Sequence, residues 1–483
     1  MRPTDRREFL ACTGAAAWPG FVNSARSEPA AGADLGELAK RLLEVPAADA
    51  LRLAVDLHEG GVDARDLLGA TFLAGVQDVS PRPVGFKFHC VMMTSSALQI
   101  VARLPSRDRL LPALFNVHDL KISQARDERE GDFSLPAATP PRTDDRDRAR
   151  AAMQSALDDW DDEAALAAVP ALWRTHALDE AFEVLWPFGA RDFGNIGHKP
   201  IFLAQSQRTL LQIGWRHGES VLRSLVLGLL DGEPGRNDRQ WAPNVERARA
   251  LIADRPRAAA ESPGAAFELL AALRAADPDG AAEAVVKLRK AGVPVTQVAD
   301  GLRLCAAELL QRMPGVLSLH ALTSLNALLR AARSAADPLF AEATLLQAAS
   351  WQVLYREFLA GRSNFDAARP GIDALEPSDV DPDTAQASAF RSAAVTRDAA
   401  AAHALRAASA GRLPQLCAAA RDLLCRTGDD HHDYKFVAAV IEEAEHAQPE
   451  VGARLFAAST AWMNPSDAPR AAHLDAVADR LRR

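Results

Sequence analysis

A chain of 483 residues, 48% hydrophobic and 25% charged, can bury a real core as one large domain or a few ordinary ones. A net charge of −9, with no basic cluster interleaved with aromatics, argues against a nucleic-acid binder. No apolar run reaches the length needed to cross a bilayer stably, so no stable membrane span is expected.

The chain opens on Thr4-Asp5 and then Arg6-Arg7-Glu8-Phe9-Leu10, followed by a mild apolar run to Val22 and the small residues Ala30-Ala31-Gly32-Ala33. This order resembles a twin-arginine export signal over residues 1–33. The resemblance implies passage through the twin-arginine translocase to the periplasm or another extracytoplasmic space. That route carries folded proteins, often with a cofactor already loaded. Beyond it stand Cys90, Cys305, Cys417 and Cys425, without a C-x-x-C pair, and buried thiols are expected.

From residue 34 to 483 the pattern is helical nearly throughout. Alanine and leucine dominate, with Arg, Glu and Gln between them, and runs at i, i+3, i+4, i+7 spacing are cut by Pro, Gly and Asp. An all-α fold follows: a multi-helix array of antiparallel helix pairs around a histidine-lined centre, forming one large domain. Internal breaks are expected near 136–147, a polar proline-containing stretch, and near 231–243.

The histidines come next in chain order. His89 lies in Phe86-Lys87-Phe88-His89-Cys90-Val91-Met92-Met93, sharing a helical face with Met93, Ser96 and Ile100. His118 follows in Asn116-Val117-His118-Asp119. His198 precedes Pro200, a first-turn residue, and so stands at a helix mouth. His217 and Glu219 are two apart and share a face only across a turn after Gly214. His320 lies on an apolar face with Leu317, Ala321, Ser324 and Leu328, which points it inward. His58, His176, His403, His446 and His473 sit in polar contexts that read as surface.

The late stretch Asp429-Asp430-His431-His432-Asp433-Tyr434-Lys435 is the densest in chemistry. Asp429 and Asp430 suit a helix start. His431 and Lys435 are four apart and stack on one face, with His432 as a further candidate. On a helical wheel they fall opposite the apolar face of Phe436, Val440, Ile441 and Ala444, which on this stretch alone reads as solvated surface.

Four of these segments, in this order, resemble the questin oxidase family of α-helical oxygenases: His89 with Met92 and Met93, Gly197-His198, Leu319-His320-Ala321-Leu322-Thr323, and His431 to Lys435. Phe202 and Asn326 stand where the family often carries further histidines. The resemblance implies oxidative chemistry on a small-molecule substrate, a polyketide-like aromatic or cyclic ketone, with dioxygen and sometimes a nicotinamide reductant. No Gly-x-Gly-x-x-Gly follows a strand to support NADPH binding.

His89, His198, His320 and His431 together would make a nitrogen-rich site for Fe(II), with Mn, Zn or Cu as the other ions such ligands take. Neutral imidazoles leave the divalent charge uncompensated. Lys435 supplies an anionic oxygen only if its amine is free and carboxylated to a carbamate. Asp433, with Asp429 and Asp430, is a candidate to hold imidazole N–H groups or to carry protons. The alternatives are a metal-dependent hydrolase at the same site, with Glu219 or an aspartate as base, and a helical scaffold without catalysis.

Overall fold

A computed structural model describes residues 33–254, 262 and 264–481. The export-signal residues 1–32 lie outside the described residues. The chain is 74% helical, as expected, and among the described residues no strand occurs; one isolated bridge joins Ser392 and Val395.

Local chemistry explains where the helices begin. Asp34, Asp63, Asp145 and Asp161 each stand just before a helix and accept hydrogen bonds from backbone N–H groups of its first turn. Those N–H groups otherwise lack partners, so each cap contributes about 1 kcal/mol.

The chain forms two compact units. One comprises 33–237, 421–438 and 469–481; the other comprises the described residues of 238–420, with 439–468. The first crossing, at Asn237, falls within the 231–243 break, whereas 136–147 lies inside one unit.

In the unit that contains 33–237, the helix Ala64–Asp78 is buried along nearly its whole length from Leu67 to Val76. It therefore has neighbours on every side. It packs against Leu35–Glu44, Leu110–Glu130 and the short helices His89–Met92 and Thr94–Val101. Gly75 permits the last approach: a Cβ there would stand 2.7 Å from Val91 Cγ2 and 3.2 Å from Cys90 Sγ. Gly189 does the same between Leu178–Ala190 and Gly194–Ile213, where a Cβ would come within 2.5 Å of Leu203. Both glycines help seat the helices that carry His89 and His198.

The other unit is built on Val295–Arg312, Val316–Ser334 and Pro338–Ala360. Its centre holds a charged network rather than hydrocarbon alone. Arg303 and Glu443 are both fully buried and stand 2.6 Å apart. Asp300 pairs with Arg303 at 2.7 Å, and Asn326 donates to Glu443 at 2.7 Å. Burial works to raise the Glu443 pKa, but Arg303 and Arg333 outweigh it and hold the carboxyl well below the usual range. A depressed carboxylate contributes stability that is present above the unfolded pKa of about 4.3 and is lost as pH falls. Glu443→Gln should cost about 3–5 kcal/mol at pH 7, because it strands a buried guanidinium. The difference from the parent chain should shrink as denaturant midpoints are taken from pH 6 down to pH 3. Equal midpoints at pH 7 would remove the network from the stability account.

Candidate metal centre

Five of the residues singled out by the sequence meet in the unit that contains 33–237. His89 stands at the head of a short helix and His198 where Gly194–Ile213 turns right-handed; His431, His432 and Lys435 occupy the first turns of His431–His446. The His89 ring stacks on His431, centroids 4.0 Å apart and 18° from parallel. Its centroid lies 4.6 Å from that of His432. Its Nε2 stands 3.3 Å from Nε2 of His198. His89, His431 and His432 each place one nitrogen within 4.8 Å of the others.

Every Nδ1 in this cluster faces an oxygen that can only accept. His89 Nδ1 donates to the Phe86 carbonyl at 2.5 Å, and His198 Nδ1 to the Asn195 carbonyl. His431 Nδ1 meets Asp119 Oδ1 at 3.2 Å, and His432 Nδ1 meets Asp430 Oδ1 at 2.7 Å. The proton of each neutral ring is therefore on Nδ1, and each Nε2 presents a lone pair. Between His89 and His198, two lone pairs face one another at 3.3 Å. Burial, then the Lys435 charge, lowers both pKa values, that of His198 to about 3, so neither ring gains a proton to relieve the contact near neutral pH. A cation would relieve it. Two nitrogens each about 2.1 Å from one ion stand roughly 3–3.4 Å apart, so the His89–His198 pair fits a transition-metal ion.

The remaining charges are arranged around these rings. Asp430 starts the helix, accepting the His432 backbone N–H at 2.7 Å. Burial alone would raise its pKa, but the His432 hydrogen bond and the charges of His431 and His432 hold it below the usual carboxylate range. Burial, then Lys435, brings His432 down to about 4. Asp433 is pushed up to about 7 by burial and by Asp430 and Asp429, while the backbone N–H groups of both engage its carboxylate.

Lys435 is 1% exposed. The solvated-face reading of the wheel is thus corrected for Lys435: His432, Asp433, Tyr434, Lys435 and Phe436 are all buried, and His431 stays partly exposed. Lys435 Nζ has no hydrogen-bond partner among the described residues. Burial lowers its pKa to about 7, and Asp430 and Asp119 only partly oppose this. A buried amine without a partner is costly and calls for a role.

His118, His217 and Glu219 have other surroundings. His320 belongs to the other unit, where its ring is wholly buried, as its apolar face required, with Nδ1 2.6 Å from the Val316 carbonyl. His118 stacks on His473, centroids 5.5 Å apart. His217 accepts from Arg216 Nε at 3.1 Å in a turn just before the helix that begins at Gly218, with Glu219 in that helix's first turn. His176 and His473, read as surface, are 5% and 7% exposed; tertiary neighbours cover them. Cys90, Cys305, Cys417 and Cys425 are buried thiols outside any disulfide, as expected.

Three contributors were missed. Asp119 supports His431, and the signal was its i+4 spacing from the inward Phe115. The carbonyls of Phe86 and Asn195 act from backbone with φ of 46° and 50°, left-handed values that side chains rarely take. Ile196 is left-handed too, at φ 50°; for a β-branched residue this costs roughly 1–2 kcal/mol. Such strain clusters at functional sites.

The chain matches no protein-family model, no curated protein and no solved structure.

Proposed function

We propose that this chain is an exported non-haem metal oxygenase that holds one ion, Fe(II), through His89, His198 and the His431-His432 pair, with Lys435 beside them. The observation that carries the reading is an oxygen acceptor on every Nδ1, which leaves the lone pair of each ring on Nε2, with those of His89 and His198 3.3 Å apart. Metal-ligating histidines are oriented in this way. Bound there, Fe(II) would supply the activation of dioxygen that no side chain provides.

The chain's own residues do the rest. Phe86, Asn195, Asp119 and Asp430 fix ring tautomers. Burial of His89 and His198 keeps bulk water from competing for the nitrogens, while His431, with 23% of its side chain exposed, marks the side open to small molecules. Lys435 resolves the charge problem as a carbamate: its neutral amine adds carbon dioxide, an N–C bond forms, and the released proton passes to solvent. The buried Nζ then carries a carboxylate toward the divalent ion instead of a repelling ammonium. The resemblance to the questin oxidase family points to an aromatic or cyclic ketone as substrate.

The test is anaerobic reconstitution. About one Fe(II) per chain should survive gel filtration, and oxygen uptake should begin with a ketone from an aromatic and cyclic panel. Retention of zinc alone, with ester cleavage and no oxygen uptake, would favour the hydrolase. No retained metal of any kind would leave the scaffold reading. The expectation for His320 is settled by metal content in His320→Ala. Export is tested by changing Arg6 and Arg7 together to Lys, which should hold the protein in the cytoplasm.

A further inference from the structure

The turns that aim His89 and His198 share a single fastening. Asp231 Oδ2 accepts the Val84 backbone N–H at 3.0 Å and the Asn195 side-chain amide at 3.1 Å. Val84 leads into Gly85 and Phe86, whose φ values are 104° and 46°; Phe86 carries the carbonyl that holds His89. Asn195 opens the left-handed run Asn195-Ile196-Gly197 and carries the carbonyl that holds His198. The two turns also touch, since a Cβ on Gly85 would lie 3.0 Å from the His198 ring. One carboxylate oxygen thus ties together both strained segments. The backbone of Asp231 is held independently, its carbonyl accepting from Lys199 Nζ at 2.8 Å, and Lys199 is itself anchored on Asp192 at 2.5 Å.

We infer that Asp231 is a positioning residue: by bridging the Val84 and Asn195 turns it sets the separation of the His89 and His198 nitrogens, and so the affinity of the site for a divalent metal. The inference rests on the metal reading above for its functional consequence, but its geometry can be checked without metal. Left-handed segments relax readily unless their surroundings over-determine them. Here the over-determination comes from a residue in a loop that touches neither ring. Removing its side chain leaves the Lys199 contact in place and frees only the two turns.

The experiment uses the full chain. Fe(II) affinity is measured anaerobically by competition with a chromophoric chelator. Histidine ring 15N spectra of the metal-free protein report which nitrogen carries each proton. Asp231→Ala should weaken Fe(II) binding about 10–100-fold, the range for groups that orient metal ligands. In the metal-free spectra the His89 and His198 signals should shift, while those of His431 and His432, fastened by Asp119 and Asp430, should not. Asp231→Asn keeps an acceptor oxygen and should restore most of the affinity. Asn195→Gly guards against a variant that fails to fold: it cuts one arm while suiting the left-handed backbone, so melting temperature should rise as affinity falls. A purely structural role would move both the same way. Should the parent chain bind no metal while the His89 and His198 signals still move in Asp231→Ala, the metal reading fails and the clamp stands. Unmoved signals, with any affinity kept within about threefold of the parent, would overturn the clamp.

Discussion

Replacing His89 by alanine should abolish metal retention altogether while the helices persist. This ring is in contact with His198, His431 and His432 at once, so no other single residue tests the cluster as fully. Loss of a ligand should exceed the upper limit of about 100-fold seen for the groups that merely orient ligands. The metal-free protein should suffer much less. The variant strands the Phe86 carbonyl and opens a cavity at a 4%-exposed position, but it also removes a lone-pair contact at 3.3 Å. These effects oppose one another, and a net cost of about 1–3 kcal/mol is expected. Metal analysis after gel filtration, with a circular dichroism melt on the same sample, separates the two. Undiminished metal in a folded His89→Ala chain would show that the ion sits elsewhere.

The sequence carried the helical architecture because alanine, leucine and aspartate caps act locally: Asp34, Asp63, Asp145 and Asp161 cap the helices they precede. It also singled out His89 and His198, whose rings the fold brings together. It misread Lys435. A helical wheel assumes one buried face, but beyond the partly exposed His431 the first turns of His431–His446 are buried all round: Tyr434, Lys435 and Phe436 are all covered. His176 and His473 were misplaced for a related reason, since polar neighbours along the chain say nothing about neighbours across space. Asp231 was read as part of a turn, and nothing local marks it otherwise; its partners Val84 and Asn195 are 147 and 36 residues away.

These misses share a physical cause. The residues that orient the site act through contacts between distant segments: Asp119 reaches His431 across 312 positions. Residue type singles out the histidines, because an imidazole in an apolar or helix-mouth context stands out along the chain. The acceptors behind it are carboxylates and backbone carbonyls of ordinary kind, and only the fold selects which of them face an Nδ1. Sequence therefore indicates the candidate histidines earlier than it indicates what aims them.

Lys435→Met should produce opposite effects on the metal-free and the metal-loaded chain. Methionine approximates the lysine stem in volume and carries no charge. In the metal-free protein it removes a fully buried amine that has no hydrogen-bond partner among the described residues. Replacing buried ionic groups by hydrocarbon of similar shape typically stabilises by about 1–4 kcal/mol, so the melting temperature should rise. It also removes a positive charge that lowers the pKa values of His89, His198 and His432. If Lys435 acted only as a cation beside the imidazoles, the variant would bind a divalent ion more tightly, because a repulsion has gone. If Lys435 works as a carbamate, the variant loses an anionic oxygen, and Fe(II) affinity should fall by more than the upper limit of about 100-fold for groups that merely orient ligands. Acetate or propionate should then restore part of the affinity to Lys435→Ala, where the shorter side chain leaves room, and not to Lys435→Met. Withholding bicarbonate during loading should weaken the parent chain in the same way and leave Lys435→Met unchanged. Tighter Fe(II) binding by Lys435→Met, with no response of the parent to bicarbonate, would end the carbamate proposal and leave Lys435 as a charge that the metal must overcome.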